Sequence, residues 1–139
     1  QFPSGYPEPS FFNLVANTVP MEGFLSCAAI LWPALVEVND HVFLAETYPM
    51  LKGNLHTRFG NDRKTVERYV NLFCISDFYL MAADESSASI ELQNTMAKVL
   101  KSFWQRRLAE AFPDRKFAIE IAENLYDEDG LSLTFWQTG

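Results

Sequence analysis

The sequence predicts an α+β fold: one domain in which two β-hairpins form a mainly antiparallel four-stranded sheet, covered on one face by three or four helices. Three observations carry this expectation. Asn39-Asp40 stands between two short β-branched and aromatic runs. The segment from Lys116 to Gln137 alternates apolar and polar residues twice, around an acidic loop. Between these hairpins, two stretches place apolar residues at helical spacing.

Taken in order, "QFPSGYPEPS" is rich in proline and serine, so residues 1–9 read as an irregular arm and 10–139 as the domain. "SFFNLVANTVP" suggests a short helix capped by Ser10 and ended before Pro20. "MEGFLSCAAILWP" is apolar nearly all round and stops at Pro33, so a buried helix and a buried strand compete; alternation begins only after the proline, which favours the helix, too short to cross a bilayer. In "ALVEVNDHVFLAE", Asn39 and Asp40 tolerate positive φ, so the two flanking runs should pair through a two-residue turn.

A loop follows, and then "RKTVERYVNLFCISDFYLM", read as one helix from a cap at Asn61 or Asp62. Val66, Tyr69, Val70, Phe73, Cys74 and Asp77 share a face of that helix. The next helix, "ASIELQNTMAKVLKSFWQRRLAEAF", carries an apolar stripe through Leu92, Met96, Val99, Leu100, Phe103, Trp104, Leu108 and Phe112, and Pro113 ends it. In the last hairpin Phe117, Ile119 and Ile121 oppose Leu131, Leu133 and Phe135, while Glu120, Ser132, Thr134 and Trp136 fall on the other, wet face.

With 139 residues, 48% of them hydrophobic, the chain has material for a single core. Its net charge of −7 repels phosphate backbones and anionic surfaces, so neither nucleic acid nor a membrane is an expected partner. Cys27 and Cys74 lie in apolar runs and read as buried thiols, which suits a reducing, cytoplasmic setting.

Chemical motifs are few. If Gly130 took the invariant glycine of an EF-hand loop, Asp127 and Asp129 would be ligands. Leu125 and Trp136 would then occupy the first and last positions, where oxygen ligands are required, so the match fails. Asp127, Glu128 and Asp129 read instead as an exposed hairpin loop. No zinc spacing, P-loop, dinucleotide fingerprint or nucleophile elbow occurs, so no metal, cofactor or catalytic residue is assigned. His41, with Glu37 and Asp40 close in sequence, has the minimum surroundings of a base, and a solvated hairpin-tip histidine is its ordinary reading.

These residues favour a non-enzymatic, acidic protein-interaction module of the kind that neutralises a bacterial toxin or regulates a partner. Glu120, Asp127, Glu128, Asp129 and Trp136 would meet a basic protein, and the exposed sheet face would also permit a homodimer. The alternative is a small-molecule-binding domain with an aromatic pocket between sheet and helices, drawing on His56, Asp77 and Trp104. The segments "WPALVEVNDHVFLAE" and "GNDRKTVERYVNLFCISDFY" resemble a set of small bacterial proteins of unknown activity, over about half of the chain. That resemblance implies no functional residue.

Overall fold

The computed structural model describes residues 17–53, 55–75, 90–125 and 130–139. Its elements in order are α1 (Met21–Leu31), β1 (Leu35–Val38), β2 (His41–Leu44), α2 (Tyr48–Leu51), α3 (Leu55–Phe59) and α4 (Arg63–Val70). There follow β3 (Phe73–Cys74), α5 (Ile90–Ala111), β4 (Phe117–Glu123) and β5 (Leu131–Gln137). The class is α+β and the strand pairs are antiparallel. No helix among the described residues is long and apolar enough to cross a membrane.

Both expected hairpins form. Asn39 and Asp40 take φ of 50° and 72°, the left-handed pair that a tight turn demands, and β1 and β2 pair from Leu35↔Leu44 to Val38↔His41. β4 and β5 pair from Phe117↔Gln137 to Glu123↔Leu131. The single four-stranded sheet does not form. The hairpins belong to separate sheets, one of two strands and one of three in the order β3-β5-β4.

Side chains of α4 and of its C-terminal cap explain the split. Backbone pairing alternates along an antiparallel strand, so the groups of Val42 and Leu44 that turn away from β1 need other partners. Glu67 Oε2 accepts from Val42 N–H at 2.7 Å, and Asn71 Oδ1 accepts from Leu44 N–H at 2.8 Å. On the facing edge of β5, Gln137 N–H donates to Glu67 Oε1 at 2.7 Å, and Asn71 Nδ2 donates to Phe135 O at 3.2 Å and to Val42 O at 3.0 Å. Two fully buried polar side chains thus fill the place of a backbone ladder between β2 and β5.

The same residues end the helix that the sequence extends to Met81. Asn71 leaves helical geometry at φ −88° and ψ 15°, and Phe73 and Cys74 then pair with Leu133 and Ser132 of β5. Residues 76–89, Asp77 among them, lie outside the described set.

Helices cover both faces rather than one. On one side α5 packs Leu100, Trp104 and Leu108 against Val42, Leu44, Leu133 and Phe135. On the other, α4 sets Val66 and Val70 against Phe43, with Val36, Tyr48 and Leu55 around them. The polar face of β5 is therefore dry. Ser132 and Thr134 are fully buried, and the Thr134 hydroxyl donates to Arg68 O at 2.7 Å.

α1 is helical as expected, yet none of its residues is buried. Its C-terminal end docks on α5: Trp104 Nε1–H donates to Ile30 O at 2.9 Å and Arg107 Nε–H to Pro33 O at 2.8 Å. The rest of its apolar surface stays outside, and Cys27, expected inside, is exposed.

Candidate functional site

The expected wet face of the last hairpin is an ion-paired cluster. Glu120 and Trp136 lie on one face of β4 and β5, where Glu120 faces Thr134 and Ala118 faces Trp136. Arg68, projecting from α4, reaches both: its Nε–H donates to Glu120 Oε1 at 2.7 Å and its guanidinium lies 5.8 Å from the Trp136 ring centre. Lys64, one turn earlier, stands 5.0 Å from the same ring. The carboxylate is matched and the indole is covered by two cations, so neither is a bare acidic or aromatic anchor. Asp127, Glu128 and Asp129 lie outside the described residues.

Of the three residues expected to line a pocket, the side chain of Trp104 lies within the described set and those of His56 and Asp77 do not. Trp104 is 2% exposed and sits in the core, edge-on to Phe135 at 5.8 Å. His56 is on α3, with its side chain outside the described set. Among the described residues His41 gains no carboxylate. Its Nδ1 lies 3.1 Å from Asn39 O, and Glu37 and Asp40 both turn to Arg115, with Asp40 also 3.6 Å from Arg63.

His41 nonetheless begins a stack that sequence reasoning missed. Its ring lies parallel to Phe43 at 5.5 Å, and Phe43 lies parallel to Tyr48 at 4.7 Å. The stack lines a cleft of about 360 Å³, with Val38, Lys52 and Asn61 around it. Alternation along β2 puts His41 and Phe43 on one face; only folding brings Tyr48 of α2 onto the pile. No group of three or more His, Cys, Asp or Glu arranged to hold a metal occurs among the described residues.

The largest apolar exposure lies on the helices. On α1, Met21, Phe24 and Leu25 are 78%, 51% and 60% exposed. On α5 the apolar arc is wider than the sheet can cover, so Leu100, Trp104 and Leu108 go inside while Val99 and Phe103 remain exposed. Trp32, at the junction, lies under Arg107 with its ring 5.7 Å from the guanidinium carbon. Beside this row Lys98 and Arg106 are exposed and form no ion pair with a described residue.

No known protein family, curated protein or solved structure matches the chain.

Proposed function

We propose that the protein is a non-enzymatic interaction module that binds another polypeptide through the outer surface of α1 and α5. The observation that carries this reading is the exposure of large apolar side chains on both of two docked helices, Phe24 and Leu25 on α1 and Val99 and Phe103 on α5. Leaving large apolar side chains in water forgoes about 1.5–3 kcal/mol each, and grouped exposure of this kind marks interaction surfaces. Lys98 and Arg106 flank the α5 row, so the fitting occupant is an amphipathic segment whose apolar side is edged by carboxylates. This charge preference differs from the basic partner that the overall negative charge suggests, because partners sense the local field at short range.

Comparative affinity capture tests the reading. Bait protein and a Phe24→Glu/Phe103→Glu variant are compared for what each retains, with circular dichroism confirming that both are folded. A polypeptide retained by the wild type and lost by the variant supports it, and Lys98→Glu/Arg106→Glu should weaken the recombinant pair about tenfold. Equal capture by the bait and its patch variant overturns it.

The stacked cleft favours a second reading, a site for a flat small molecule continuing the His41–Phe43–Tyr48 pile. A fragment screen read by nuclear magnetic resonance checks it. Shift changes at Phe43 and Tyr48 that vanish in His41→Ala support this use, and a screen that leaves those signals unmoved removes it.

A further inference from the structure

The order β3-β5-β4 leaves β4 at the edge of its sheet. Which of its backbone groups are free follows from two hydrogen bonds beyond its ends. Thr138 N–H donates to Lys116 O at 2.9 Å and Asn124 N–H to Gly130 O at 3.0 Å. Hydrogen-bonded pairs alternate, so Ala118, Glu120 and Ala122 turn their N–H and C=O groups to β5. Phe117, Ile119, Ile121 and Glu123 turn theirs outward, and no described residue bonds to them.

An unpaired edge is a template for another strand, and proteins that avoid such pairing blunt it with proline, bulges or projecting charge. β4 has none of the first two. It runs regularly for 7 residues, and its one central charge, Glu120, is matched by Arg68 at 2.7 Å.

Its sequence also names an occupant. Ala118-Ile119-Glu120-Ile121-Ala122 reads the same in both directions. Two copies of such a strand, paired antiparallel about a two-fold axis, place like beside like. We infer that β4 pairs with β4 of a second copy of this chain, joining the two three-stranded sheets into one of six.

In this register Ile119 lies opposite the partner's Ile121, and Ile121 opposite the partner's Ile119; both are hydrogen-bonded pairs made from outward groups. Ala118 meets the partner's Ala122. Glu120 meets the partner's Glu120 at the axis, where two like charges would oppose pairing. Each brings its own Arg68, so the axis carries two matched pairs. The contact is isologous and consumes the edge it uses, so it closes at two copies. It involves a different surface from α1 and α5 and does not depend on their use.

Sedimentation velocity from about 1 to about 100 μM, together with amide exchange, tests the dimer. The wild type should pass from chain mass to twice chain mass. At the upper concentration the amides of Ile119 and Ile121 should become protected at least tenfold, since within one copy no described residue bonds to them. Ile121→Pro removes an outward donor and leaves pairing with β5 intact, so it should keep the native far-UV spectrum and remain at chain mass. Should that variant fail to fold, Ala118→Lys/Ala122→Lys provides the same readout by setting lysines opposite one another. A wild type that stays at chain mass throughout overturns the inference. So does a dimer in which the Ile119 and Ile121 amides exchange freely, or one that survives both variants; loss of that dimer in Phe24→Glu/Phe103→Glu would assign it to the helical surface instead.

Discussion

Glu67 on α4 and Asn71 at its C-terminal cap together satisfy five backbone groups belonging to the facing edges of β2 and β5. The pair holds together what are otherwise two small sheets. A two-stranded hairpin is marginal alone, and its outer edge here is completed by side chains rather than by a neighbouring strand. Gln137 strengthens the seam, donating from Nε2 to Glu67 Oε2 at 2.7 Å and to Asp40 O at 2.9 Å.

Removal of either bridge should therefore destabilise the protein well beyond a surface change. Asn71→Ala strands Leu44 N–H, Val42 O and Phe135 O in a buried site and should cost roughly 2–4 kcal/mol. Glu67→Gln preserves size but turns an amide NH₂ towards a backbone N–H, with an expected loss of about 1–3 kcal/mol. Urea unfolding followed by circular dichroism measures both. A loss below about 0.5 kcal/mol for Asn71→Ala would contradict a structural role for the bridge.

The turn at Asn39 gives a second test, because its φ of 50° is open to glycine and asparagine but strained for a branched residue. Asn39→Gly should leave stability within about 0.5 kcal/mol, whereas Asn39→Val should lower it by about 1–2 kcal/mol. The difference between the two variants in thermal unfolding is the quantity to read. Equal stability would mean that the turn is not built as described.

Arg68 and Glu120 form a half-buried pair, so their coupling should be small but measurable. A double-mutant cycle with Arg68→Gln and Glu120→Gln should return about 0.5–1 kcal/mol at low salt and less at 1 M sodium chloride. Trp136 fluorescence should change in Arg68→Gln as well, since the guanidinium lies over its ring. A coupling of zero at low salt would show that the two side chains do not meet in solution.

Local signals were enough to read both hairpins, the helical character of α1, α4 and α5, and the side of β5 that carries Leu131, Leu133 and Phe135. Period-two alternation and the Asn39-Asp40 pair act over a few residues, so they survive whatever surrounds them. The bridge was hidden because a Glu and an Asn in "RKTVERYVNLF" read as the polar side of a helix. One clue was present: Glu67 and Asn71 directly follow Val66 and Val70, within the face that packs inward. The cluster of Arg68, Glu120 and Trp136 joins α4 to a hairpin about 50 residues further on, and no spacing rule reaches that far.

By itself the sequence determined the α+β class, the two hairpins and the want of any motif for metal, phosphate or nucleophilic chemistry, because each depends on residue type and short-range geometry. Tertiary structure alone decided that the hairpins stand in separate sheets, that α4 dries the face expected to be wet, and that α1 stays outside. Those outcomes turn on which long-range partner a buried polar group finds and on how much of an apolar arc one sheet can cover. Neither quantity is a property of any single stretch of chain.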